Sequence, residues 1–103
     1  DNELIEIYDK IIQIVKNDLD SWDGKLYFFY LPSQKEFKLK SEDISKQYVE
    51  SIMTKHEIPF IDISELFYIQ SKNPLEFFPF EMPGHYNELG YKKISNKIIQ
   101  VVK

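Results

Sequence analysis

The chain has 103 residues, 43% of them hydrophobic and 16% aromatic, with a net charge of −4 and no cysteine. That suits one small domain with a packed core and excludes a disordered chain, a disulfide framework and thiolate chemistry. The lysines are scattered without a basic cluster, which argues against nucleic acid or an anionic membrane as principal partner, and no apolar run reaches membrane-spanning length.

Leu4, Ile5, Ile7, Tyr8, Ile11, Ile12, Ile14 and Val15 recur at helical spacing. The stripe is wide, so the first helix is expected to have most of one side covered. Asn17 to Gly24 is polar, and Asp23-Gly24 signals a turn. Leu26 to Leu31 runs apolar without alternation, the pattern of a strand buried on both faces, and Pro32-Ser33 ends it. Residues 33–42 are polar and lysine-rich and read as a surface loop. Ser41 or Asp43 can cap the next helix, whose buried stripe is Ile44, Tyr48, Val49, Ile52 and Met53. His56 falls at its C-terminal end, where a cation complements the helix dipole, and a structural role is expected for it.

Ile58 to Ile63 reads as a second strand, with Pro59 near its start. Asp62, at a strand end, is a candidate for polar contact. Ser64 suggests a short capped helix reaching toward Ile69. Ser71 to Pro74 breaks it, and Leu75 to Phe80 is an aromatic connection. Pro83 and Gly84 then force a sharp turn before His85. Asn87 is placed to cap a last helix with Tyr91, Ile94, Ile98, Ile99 and Val102 inward and Lys92, Lys93 and Lys97 outward.

Strand, helix and strand, with both strands apolar, imply a parallel α/β crossover. Two strands are too few for helices to cover on both faces. Asp1 is not a natural start, so the chain reads as part of an α/β domain whose first strands are missing.

The segment His85-Tyr86-Asn87-Glu88-Leu89-Gly90-Tyr91-Lys92-Lys93-Ile94-Ser95 resembles the end of an SGNH (GDSL-type) hydrolase. In that family a late-loop histidine is followed by a pattern like Tyr-Asn-x-x-Gly-Tyr, which opens the final helix. The resemblance implies that residues 1–103 are a single C-terminal segment of such a domain, with a flavodoxin-like three-layer α/β/α fold and a parallel sheet. It implies hydrolysis of an acyl or O-acetyl ester of a carbohydrate, lipid or small molecule, with His85 as the base and no metal or organic cofactor. Two departures stand out. No Gly-Asp-Ser nucleophile block occurs in the chain, and Met82 stands three residues before His85, where the family has aspartate. Ser33 follows a strand but lacks the glycine-flanked turn that exposes a nucleophile.

An imidazole works best as a base when a third group fixes its tautomer. Met82 cannot do this. Glu81 is a candidate orienting carboxylate, and a backbone carbonyl is the alternative. The partners implied are an ester substrate and the N-terminal part of the same protein, or self-association through the open Leu26–Leu31 strand. A non-catalytic SGNH-like scaffold and an independent α/β interaction module are the rival readings.

Overall fold

The computed structural model describes residues 2–40 and 43–103. Helix α1 spans Asn2–Asp20, followed by strand β1 (Phe28–Tyr30) and helices α2 (Gln34–Leu39) and α3 (Ile44–Lys55). Strand β2 (Phe60–Asp62) leads directly into α4 (Ile63–Gln70). Two 3₁₀ turns, Pro74–Phe77 and Pro79–Glu81, precede α5 (Glu88–Val102). Contacts divide the chain into two compact units, with divisions after Phe28, Asp43 and Ile61. One holds the residues up to Phe28 together with Ile44–Ile61; the other holds Phe29–Asp43 and Asp62–Lys103.

The three-layer flavodoxin-like expectation is not met. Among the described residues 67% are helical, and two short parallel strands are paired as β1-β2. Their brevity has local causes. Pro32 follows β1 closely, while Asp62, the last residue of β2, already caps α4 by accepting a hydrogen bond from the Ser64 amide at 2.9 Å. Every residue of both strands is half-buried, so neither has the two covered faces that the apolar run of residues 26–31 suggested. Phe28 and Phe60 instead stack on each other, with centroids 5.5 Å apart and planes at 7°.

Residues 33–42, expected to be a loop, contain α2. Ser33-Gln34-Lys35-Glu36 is a capping-box pattern: the Glu36 carboxylate reaches back to accept the Ser33 amide at 2.8 Å. It also accepts the Tyr30 hydroxyl at 3.1 Å and the Asp43 amide at 3.3 Å. The helix ends at Lys40 in a left-handed conformation. Of the two caps expected for α3, Ser41 lies outside the described residues.

In the first unit, α1 packs on α3 through a polar clamp. Asp9 accepts Lys55 Nζ at 2.6 Å and His56 Nε2–H at 2.5 Å. His56 therefore has the structural role expected of it, with a carboxylate from α1 as partner in addition to the end of its own helix. The expected coverage of α1 is corrected: no residue of α1 is buried, and Leu4, Ile7, Ile11 and Ile14 are exposed, Ile14 at 67%. An open apolar groove of about 360 Å³ runs between Leu4, Ile5 and Tyr8 of α1 and Ile44, Tyr48, Val49 and Ile52 of α3. No helix among the described residues is long and apolar enough to cross a membrane.

The core of the second unit is aromatic. Phe67 and Phe77 lie 4.3 Å apart by centroid, Phe78 and Tyr86 5.0 Å, and Phe37 contacts both Phe67 and Phe78. Phe67, Phe77 and Phe78 are fully buried, and Ile94 of α5 is buried too. Tyr91, Ile99 and Val102, expected inward on α5, remain about half exposed.

The Asp9 clamp makes stability pH-dependent. Hydrogen bonds from Lys55 first, and His56 second, hold its carboxyl below the usual value of 3.8. A lowered folded-state pKa contributes stability above the unfolded value, and that contribution is lost as pH falls through the folded one. Asp9→Asn is therefore expected to lower the melting temperature at pH 7, and the gap to the parent chain should close in melts taken well below pH 3.8.

Candidate functional site

His85 sits on the exposed turn between the second 3₁₀ segment and α5. The local sequence accounts for its placement on both sides. Downstream, Asn87 caps α5 as expected: its Oδ1 accepts the Gly90 amide at 2.9 Å. Its Nδ2 donates to the Glu76 carbonyl at 2.6 Å, and its backbone amide donates to the Phe77 carbonyl at 2.8 Å. Gly90 is needed for this approach, because a Cβ there would lie 2.7 Å from the Phe77 carbonyl oxygen. Upstream, Gly84 takes φ +132°, a conformation side chains rarely adopt, and it turns the chain toward His85.

Between these anchors, Phe80 and Glu81 are consecutive non-glycine residues at positive φ, 52° and 57°. Such conformations cost roughly 1–3 kcal/mol each and persist where the surroundings over-determine them. The Phe80 ring is 97% exposed. The Glu81 carbonyl accepts Gln34 Nε2–H at 3.1 Å.

The imidazole of His85 is tied to the backbone. Its Nδ1 lies 2.9 Å from the Tyr86 carbonyl, an acceptor, so Nδ1 carries the hydrogen. In the neutral ring Nε2 then holds a free lone pair, and it has no protein partner among the described residues. Tyr86 itself is buried, and its hydroxyl donates to the Pro32 carbonyl. Burial first, and the Glu36 charge second, push its phenol well above the usual value of 10, so it remains a donor.

The two residues expected to act together, His85 and Glu81, are both on this turn, but no hydrogen bond joins the Glu81 carboxylate to the ring. The backbone carbonyl alternative is the one the geometry provides. Met82 is 60% exposed and contributes no acceptor. Ser33 is the exposed N-cap residue of α2, and Asp62 caps α4 through its carboxylate. Tyr91 packs its ring edge against Tyr86 at 5.5 Å. An open depression of about 420 Å³, lined by Asn87, Glu88, Leu89 and Lys92, lies on the first turn of α5. No cluster of His, Asp or Glu that could hold a metal ion occurs among the described residues.

Two residues that shape the site escaped the sequence reading. Glu36 was legible through the Ser33-x-x-Glu36 spacing. Gln34 gave no signal, because nothing in a polar, lysine-rich stretch marks one amide as buried. Family models, curated proteins and solved structures contain no match to the chain.

Two substitutions test this geometry. Gly90→Ala should cost about 1–3 kcal/mol by forcing a methyl against the Phe77 carbonyl, read by chemical denaturation. Met82→Asp should change stability by no more than ~0.5 kcal/mol, because the new carboxylate would be solvated.

Proposed function

We propose that the chain is the C-terminal part of an SGNH-like serine hydrolase acting on acyl or O-acetyl esters, to which it supplies His85 as the base. The fold no longer supports this reading, which rests on the His85–Tyr91 segment and on one observation. The ring of His85 is exposed at a helix entrance, with Nδ1 committed to the Tyr86 carbonyl and the Nε2 lone pair free. That is the state in which neutral imidazole accepts a proton.

In the proposed reaction Nε2 removes the proton of a serine hydroxyl as its oxygen attacks the ester carbonyl, and later returns it to the departing alkoxide. A carbonyl fixes the tautomer as a carboxylate would, but it stabilises the imidazolium less because it carries no full charge. The nucleophile would come from a segment of the same protein outside these residues, since the chain has no serine in a Gly-Asp-Ser block. The ester substrate and that segment are the partners this reading requires.

The same observations favour a second reading. With Met82 in the aspartate position and no carboxylate on the ring, the domain would be a non-catalytic SGNH-like binding or scaffold domain.

Hydrolysis of a short activated acyl ester separates the two. The 103-residue chain alone should show no turnover. In the full protein, His85→Ala should lower kcat by about 10²–10⁴, while Glu81→Gln should change it little. No turnover in the full protein would leave the scaffold reading standing, and full turnover in His85→Ala would exclude His85 as the base.

A further inference from the structure

The loop that carries His85 is gripped at both ends by one short stretch of chain, Pro32–Gln34. At the near end, Gln34 is only 4% exposed, and its Nε2–H donates to the carbonyl of Glu81 at 3.1 Å. A buried amide spent on a backbone acceptor 47 positions away in the chain is a long-range tie, and its acceptor is one of two consecutive left-handed residues. At the far end, the Tyr86 hydroxyl donates to the carbonyl of Pro32, which is itself fully buried. Between the two ties lie Met82, Pro83, Gly84 and His85, all exposed.

Residue 86 serves twice, because its side chain is tied to Pro32 while its carbonyl is the acceptor for His85 Nδ1. We infer that Gln34 and Tyr86 are the positioning residues of His85: by clamping Glu81 and Tyr86 to the Pro32–Gln34 turn they hold the Tyr86 carbonyl where it selects the imidazole tautomer with Nε2 free. Neither touches the reacting atoms. Of the two left-handed non-glycine residues before the histidine, Phe80 and Glu81, the clamp reaches Glu81. The tie from Gln34 holds Glu81 in that conformation from outside the loop.

This inference rests on reading His85 as a base, yet its test needs no activity. The ¹⁵N shifts of the His85 ring nitrogens report the tautomer directly at a pH where the ring is neutral. The chain should show mainly the form with hydrogen on Nδ1. Tyr86→Phe keeps the ring and loses the tie, and Gln34→Met keeps the length and loses the donor. Each should move His85 toward the mixture of tautomers of a free histidine. Asp62→Ala, which removes the cap of α4 and touches neither tie, should leave the tautomer unchanged.

Wild-type populations in both tie variants, a mixed population already in the parent chain, or an equal shift in Asp62→Ala would each overturn the inference. Should the tie variants fail to fold, the parent chain in sub-denaturing urea decides. The tautomer should persist until global unfolding, and its earlier loss would refute the clamp. If the shifts follow expectation while His85→Ala retains ester turnover in the full protein, the clamp stands and the reading of His85 as the base alone falls.

Discussion

Burial of the Tyr86 ring is the constraint on which the second unit depends. Its ring sits against Phe67 and Phe78, with centroids at 5.6 and 5.0 Å, and its hydroxyl would be an unpaired buried donor without the Pro32 carbonyl. With residue 86 anchored inward, the chain on either side has little freedom. Asn87 falls at the start of α5, where its side chain caps the helix, and Gly90 falls where only a missing Cβ allows contact with Phe77. His85, one residue earlier, is exposed. An exposed imidazole beside a buried aromatic is thus a consequence of packing before it is a feature of any chemistry.

The two histidines show how surroundings divide one side chain into two roles. His56 is buried and donates Nε2–H to the Asp9 carboxylate, in a contact that Lys55 shares and that joins α1 to α3. It is committed to structure at the nitrogen a base would use. His85 commits Nδ1 to a carbonyl and leaves Nε2 free. Hydrogen bonding to one ring nitrogen decides what the other can do, and here it separates a structural histidine from a candidate base.

Punctuation in the sequence was the most legible part of the structure. Asp23-Gly24, Pro83-Gly84 and Asn87 all mark breaks or caps that the structure contains, because each acts through its own backbone or through the next few residues. The helices α1, α3 and α5 followed from their periodicity. What the sequence did not disclose was where the apolar residues would go. The run from Leu26 to Leu31 has the composition of a doubly covered strand, but three of its residues form a half-buried strand. The aromatic residues instead cluster between short helices and 3₁₀ turns, an arrangement with no periodic signature. Likewise the spacing of Met82, Glu81 and His85 could not say which acceptor the ring would find. The ring is paired with the carbonyl of Tyr86, the residue that follows it, and the spacing of the residues before it does not point there.

The central claim is that His85 serves as a base toward a serine held elsewhere in the same protein. Covalent labelling of the full protein with a serine-directed fluorophosphonate tests it without knowledge of the substrate. The account predicts modification of one serine, lying outside this 103-residue segment, at a rate that falls at least a hundredfold in His85→Ala, on the order of what loss of a general base costs. An unlabelled protein, or equal labelling in the variant, would contradict it.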